Sequence, residues 1–317
     1  MADTLINTID IVIPTYRPGE KFLRLFAMLK KQTRPFNKLI IMNTEHELMP
    51  KEVRSALNAD GRVIIRDITE DEFDHAATRA AGVSISGADA FICMTDDAVP
   101  ADTELIERLI SALESGEKVA VAYARQLAAA DADESEKFVR VFNYPDKGRK
   151  KSIADLKELG IKTYFASNVC CAYKRSIYDG LGGFIDRAIF NEDMIYACTA
   201  LKVGYESVYA ADARVVHSHN YTAMQQLHRN FDLGMSQRMH PEVFGGLKSE
   251  GEGMKLVKST IAHLAASGHA VDIPVFIVRT AFRYAGYRAG KMYDRLPRWL
   301  CLKLAMNKRF IRRNISK

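Results

Sequence analysis

Over its first 125 residues the chain alternates short β-branched runs with segments of helical period, and this alternation restricts the fold more than any other feature. The apolar runs are 9-IDIVI-13, 39-LIIM-42, 63-VIIRDI-68, 90-AFICM-94 and 119-VAVAYA-124. Between them, Lys21 to Lys31 carries Phe22, Leu25, Phe26 and Leu29 on one face, and residues 72–84 read as an Ala-rich helix with an acidic start. A further helix is expected from Asp102, an N-cap residue, to Ser115, with Gly116 as its stop. Strands interleaved with helices imply a mostly parallel, helix-covered α/β sheet. Ligands of such sheets bind beyond the carboxyl ends of the strands. Three polar stretches fall there: 14-PTYRP-18, 43-NTE-45 and 95-TDDA-98.

Farther along, residues 126–162 carry many charges and few aliphatics and read as a long surface excursion. A strand at 169-VCCAY-173 and the turn 180-GLGGF-184 precede a helix from about Asn191 to Lys202. Short strands at 205–210 and 214–217 lead into 217-HSHNYT-222, after which the pattern is helical to the end. The expected division is a catalytic α/β domain over residues 1–222 and a basic helical region over 223–317.

Five cysteines form no CxxC pair, and Cys93, Cys170 and Cys171 lie in apolar strand-like runs, which suits reduced core residues. The N-terminal MADTLINTID lacks the basic and apolar regions of a signal peptide. The longest apolar stretch, 271-VDIPVFIVRTAF-282, is interrupted by Asp272, Pro274 and Arg279, short of the ~18 residues a spanning helix needs. A cytoplasmic protein is therefore expected. The net charge of +6 is unevenly spread: residues 279–317 carry twelve Lys or Arg against Asp294 alone. The body is mildly acidic and the tail strongly basic, which suggests an anionic partner for the tail.

The chemistry-bearing residues are two acidic pairs and one His-x-His. Neither GxxxxGK[ST] nor GxGxxG occurs, so the backbone nests of NTPases and dinucleotide dehydrogenases are absent from the sequence. A bound diphosphate would then need a metal ion or basic side chains. Asp96 and Asp97 follow a buried strand; they fit either a turn with a helix cap or a site for Mg²⁺ or Mn²⁺. Glu192 and Asp193 sit in a first helical turn, where the macrodipole also favours carboxylates for stability alone. His217 and His219 share one side of an extended chain, a spacing that suits metal ligation and equally two structural histidines. Arg79, on the helix of 72-EFDHAATRAAG-82, could reach a phosphate or stay solvated.

Taken in order, these segments resemble the inverting nucleotide-sugar glycosyltransferases with the GT-A, Rossmann-like fold, from about Ile9 to Thr222. IVIPTYRP looks like the family's first strand and nucleotide loop, and TDDA stands in place of its Asp-x-Asp motif without matching it strictly. GGF followed by NED looks like its acceptor-side motif, and HSH falls where the family often adds a metal or diphosphate ligand. Within that group, 43-NTE-45, 72-EFDHAATRAAG-82, 124-ARQLAAADADESEKFVRVFNYP-145, 167-SNVCCAYKRSIYDGLGGF-184 and 217-HSHNYT-222 are similar to bacterial rhamnosyltransferases.

The resemblance implies a residue-by-residue assignment. Pro14, Thr15 and Arg17 would line the base and ribose pocket with Asn43 and Glu45, Asp96 would touch ribose, and Arg79 would approach the base or diphosphate. Asp97 with His217 or His219 would hold Mg²⁺ or Mn²⁺. Asp193 would deprotonate the acceptor hydroxyl while Glu192 orients acceptor or base. The implied reaction moves L-rhamnose from dTDP-β-L-rhamnose to a lipid-linked or oligosaccharide acceptor of a cell-surface polysaccharide. The rivals are a UDP-hexose donor and a non-catalytic sugar-nucleotide or glycan-binding protein. For 279–317 two readings stand: helices with a solvated basic face, or contact with the anionic inner face of the cell membrane. No nucleic-acid-binding module is present, so nucleic acid is not an expected partner.

Overall fold

The computed structural model describes residues 5–246 and 250–315. The first four residues, 247–249 and the last two, Lys317 of the basic segment among them, lie outside the described residues. The described residues form two compact units. The first contains residues up to Leu127, Tyr144–Asp186 and Glu192–His217; the second contains Ala128–Asn143, Arg187–Asn191 and the residues from Ser218 onward. The second unit thus draws two segments from within the 1–222 span that sequence assigns to one domain.

The first unit is built on a single sheet. Its strands are β1 (Ile9–Tyr16), β2 (Lys38–Thr44), β3 (Val63–Ile68), β4 (Ala90–Met94), β5 (Val99–Pro100), β6 (Val119–Leu127), β7 (Arg149–Lys151), β8 (Cys170–Lys174) and β9 (Glu206–Val216). They run in the order β3-β2-β1-β4-β8-β6-β9-β5, with β7 alongside β9. The ladder from β3 to β4 is parallel throughout, as is β6 on β9, while β8 enters antiparallel between β4 and β6. Strands covered on both faces need unbroken apolar runs, which is why β1, β2 and β4 read so clearly in sequence. Ile11, Ile13, Leu39, Ile41, Ile92 and Met94 are all fully buried in the main core. The α/β class and the mostly parallel sheet are as expected.

Four local outcomes differ from the sequence expectation. β1 continues through Pro14 to Tyr16, because its pairing with β4 ends at Val12 while pairing with β2 goes on; a proline is tolerated where only one side of the strand is bonded. The helix expected from Asp102 begins at Leu105. Asp102 takes Arg108 at 2.9 Å and Arg214 at 2.7 Å, a long-range bond that no local pattern announces. The two strands expected at 205–217 are one strand, β9, irregular where Ala124 faces Ala210 but Arg125 faces Arg214. The surface excursion at 126–162 is largely structured: it supplies helix Glu134–Asn143, whose Phe138 stacks on His263, and strand β7.

All five cysteines are free and buried. In the second unit, helices Ala223–Met239 and Ile273–Gly290 touch through glycine. A Cβ on Gly286 would stand 2.2 Å from the Leu227 carbonyl oxygen, and one on Gly290 would stand 2.1 Å from that of Phe231. The C-terminal helices Arg298–Leu304 and Lys308–Asn314 close a small core of Ile189, Phe231, Met235, Cys301 and Ile311. Asp232 fastens their connection by accepting from Met306 N at 3.2 Å and Asn307 N at 2.8 Å. Among the described residues no helix is long and apolar enough to cross a membrane.

Candidate active site

The site lies at the carboxyl ends of β1, β2 and β4, where the chain leaves buried strands and must turn. Non-glycine residues with positive φ are costly, and such strain clusters at functional sites. Among the described residues there are three, Arg17 at 51°, Glu45 at 65° and Asn191 at 67°. The first two end β1 and β2; the third immediately precedes helix Glu192–Lys202.

At the β1–β2 end, Thr15 and Asn43 are buried and work as scaffold. Thr15 Oγ1 donates to Asn43 Oδ1 at 3.2 Å. Asn43 Nδ2 donates to Asp67 Oδ1 at 2.6 Å and to the Glu45 carbonyl at 3.1 Å. Glu45 Oε1 accepts from Glu70 N at 2.6 Å. Pro14 is partly buried, Arg17 is exposed, and its guanidinium lies 5.1 Å from the centre of the Tyr16 ring. The surface left for a ligand is therefore made by Tyr16, Arg17, Glu45 and Glu70, with Thr15 and Asn43 fixing the loops from beneath.

One strand over, Asp96 and Asp97 leave β4 together. Asp96 Oδ2 accepts from Tyr16 N at 3.3 Å. Burial, then the neighbouring Asp97, pushes its carboxyl up to about 6. Asp97 lies 3.4 Å from Lys21 Nζ and 3.4 Å from His217 Nε2. The His217 ring is buried, and its Nδ1 meets Gln126 Oε1 at 3.0 Å. Gln126 Nε2 is committed to Tyr144 Oη at 2.6 Å and Ser167 Oγ at 3.0 Å. Its amide can thus offer His217 only an acceptor, so Nδ1 carries a proton and Nε2 is the ring nitrogen that faces Asp97.

That arrangement fits a divalent ion. Two donors ~2.1 Å from one octahedral ion stand ~3 Å apart at a right angle, close to the separation seen here. Oxygen with imidazole nitrogen is a donor set that Mn²⁺ accepts. His219 falls in the second unit, with its ring stacked on Tyr221 at 4.8 Å.

The second acidic pair starts helix Glu192–Lys202. Glu192 is buried and meets Arg79 Nη1 at 2.9 Å, with Asn168 Nδ2 at 3.0 Å. Arg79 is placed away from solvent: helix His75–Ile85 packs flush on the sheet, where a Cβ at Gly82 would meet Val12 Cγ1 at 2.4 Å. Its buried face therefore takes Arg79 with it, and the guanidinium holds Glu192 and the His75 carbonyl. Asp193 is half-buried, accepting from Asn168 N at 2.8 Å and Met194 N at 2.8 Å. Burial and then the adjacent Glu192 raise its carboxyl above the ordinary range. Against the cost of burial, Arg79 lowers Glu192. Two neighbouring carboxylates are pushed apart in this way, one locked as an anion and the other able to exchange a proton.

Thr95 N donates to Val169 O at 3.2 Å. Thr95 stands beside Asp96, and Val169 stands beside the Asn168 that holds Glu192 and Asp193, so one backbone bond joins the two acidic pairs. Asn168, Gln126, Lys21 and Asp67 were not singled out in the sequence. Gln126 was nonetheless visible as a polar residue inside an otherwise apolar strand.

Comparison with known proteins places these residues in context. The model of the family described as "Glycosyl transferase family 2" matches residues 10–182. The chain is 35% identical over 306 residues to the O-antigen chain rhamnosyltransferase RfbN of Salmonella typhimurium, covering 95% of each. It is 34% identical to the O-antigen chain rhamnosyltransferase WbaN of Salmonella anatum, covering 95% of this chain and 94% of that one. Among solved structures it resembles the mannosyltransferase PcManGT from Pyrobaculum calidifontis in complex with GDP-Man and Mn²⁺. There the TM-score is 0.60 at 12% identity, over 93% of this chain and 89% of the other. S. aureus TarS 1–349 in complex with UDP follows with a TM-score of 0.52 at 12% identity, over 91% of each chain. These likenesses establish the GT-A fold.

Proposed function

The chain belongs to glycosyl transferase family 2, and from that premise we propose that it is an inverting rhamnosyltransferase that extends a cell-surface polysaccharide. The rhamnosyl transfer and the polysaccharide rest on its kinship with the O-antigen chain rhamnosyltransferases. The donor in this reading is dTDP-β-L-rhamnose and the acceptor is lipid-linked, so the enzyme works as a peripheral protein at the cytoplasmic face of the membrane.

Asp193 is the base. The acceptor hydroxyl oxygen bonds to the anomeric carbon opposite the diphosphate, the bond from that carbon to the diphosphate oxygen breaks, and the electron pair leaves with dTDP. The hydroxyl proton passes to the Asp193 carboxylate. A single displacement turns a β-linked donor into an α-L-rhamnoside. Glu192, fixed as an anion by Arg79, keeps the Asp193 carboxyl basic enough to take that proton. Asp97 with His217 would hold Mg²⁺ or Mn²⁺, His219 being the other histidine that the sequence offers for this role. An ion bound there supplies positive charge for the departing diphosphate. Pro14, Arg17, Glu45 and Asp96 line base and ribose.

The observation that carries this reading is the Thr95–Val169 bond, which brings the acidic turn after β4 and the Asn168-held carboxylates to one strand end. Incubation with dTDP-rhamnose, Mn²⁺ and a panel of short glycans, read by mass spectrometry and anomeric NMR, tests it. An α-linked rhamnosyl product is expected. Transfer only from UDP-hexoses would overturn the donor, a β-linked product would overturn single displacement, and failure to turn over any donor would leave a sugar-nucleotide-binding protein.

A further inference from the structure

Helix Ile273–Gly290 carries apolar side chains on its outer side as well as its packed one. The side that packs on helix Ala223–Met239 has Gly286 and Gly290 at its centre, and Phe276 is buried as well. The opposite side, at i, i+3, i+4, i+7 spacing, carries Pro274, Ile277, Val278, Ala281, Tyr284 and Ala285, and every one of these is exposed. Ile277 is 48%, Val278 51% and Tyr284 51% accessible. A water-facing helix side ordinarily bears charge, and contiguous exposed apolar surface marks a binding face.

The charge around this stripe selects its occupant. No acid occurs between Asp272 and Asp294, while Arg288 and Lys291 follow the stripe toward its C-terminal end. Arg288 is exposed, whereas Arg283 lies on the other side of the helix and lines a cavity with Asp133, Glu136 and Arg279. An apolar helix side that leads into Arg288 and Lys291 complements an anionic lipid surface, with the apolar side chains entering the headgroup boundary and these two cations meeting phosphate. A second copy of this chain would set the same cations against each other.

We propose that the outer side of helix Ile273–Gly290 seats the protein on an anionic bilayer. This deepens the reading of a lipid-linked acceptor, on which it rests for its biological sense. It also extends the contact upstream from the basic 279–317 segment, into the stretch that in sequence looked like an interrupted apolar run. The helix is not a span; it lies along the surface.

The test is co-sedimentation of the full chain with vesicles of phosphatidylcholine alone or with phosphatidylglycerol. Wild type is expected to bind the anionic vesicles at least ~10-fold better, with binding weakened by high salt. I277D/V278D is expected to lose most of that binding while keeping its melting temperature and its turnover on a short soluble glycan. R288E provides a second variant whose loss of binding does not depend on the apolar stripe. Equal binding by wild type and both variants would overturn the proposal, as would a lipid-free dimer that I277D/V278D dissolves without changing vesicle binding. Vesicle binding without any rhamnosyl transfer would leave this face standing and remove only the functional reading.

Discussion

The two acidic pairs look alike in sequence and are neutralised in different ways. Glu192–Asp193 has its counter-charge built in, since Arg79 is 5% exposed and pairs with Glu192 at 2.9 Å. Asp97 instead faces an imidazole and Lys21, whose side chain is 44% exposed. A surface ammonium contributes little to stabilising partly buried carboxylates. The first pair is complete without a ligand and suits proton transfer, whereas the second is arranged to receive a cation. Each member of a buried ion pair is costly to strand, which makes the difference measurable.

The largest effect should come from Asp193→Asn. Loss of a general base lowers kcat by ~10²- to 10⁴-fold, while dTDP binding, followed by thermal shift, stays near wild type. The same change should raise the melting temperature at neutral pH. The folded-state pKa of Asp193 is raised, so its stabilising contribution is present below the unfolded value and is lost as pH climbs through the folded one; a neutral amide escapes that loss. Arg79→Met should destabilise the fold by about 3–5 kcal/mol, because Glu192 is left buried without its partner. Chemical denaturation of Arg79→Met, Glu192→Gln and the double variant would show partial recovery in the last. Equal and additive losses would mean that the two side chains do not depend on each other.

Smaller effects sharpen the metal side of the contrast. Gln126→Leu removes the acceptor that fixes the His217 tautomer and should weaken Mn²⁺ binding by ~10- to 100-fold, as outer-shell changes do. Titration calorimetry reads this without any turnover, and unchanged affinity would separate Gln126 from the ion. The pH–rate profile should rise through an apparent pKa above the usual carboxylate range, since only the ionised form of Asp193 accepts a proton. Asp193→Asn should abolish that limb.

Much of the sheet could be read from the chain because strands buried on both faces leave long β-branched signatures, and the strand ends then locate PTYR, NTE and TDDA. Asp96–Asp97 was legible for the same reason, and Glu192–Asp193 as the acidic first turn of a helix. Arg79 was not, since an arginine on a helix is ordinarily solvated; only the flush packing at Gly82 explains its burial. Gln126 and Asn168 escaped because their roles arise from partners 91 and 24 residues away. The helix Glu134–Asn143 was masked by its charge, because its organising contact, Phe138 on His263, is long-range.

The glycine contacts between helices Ala223–Met239 and Ile273–Gly290 govern how the C-terminal region can be dissected. Truncation before Arg279 would cut the second helix within two turns of its start and unclothe the first along the line where backbone meets backbone. Such a shortened protein would report the collapse of a packed pair, whatever its basic residues do. Single-residue exchanges on the outer side leave that pair intact, and they are the cleaner scalpel.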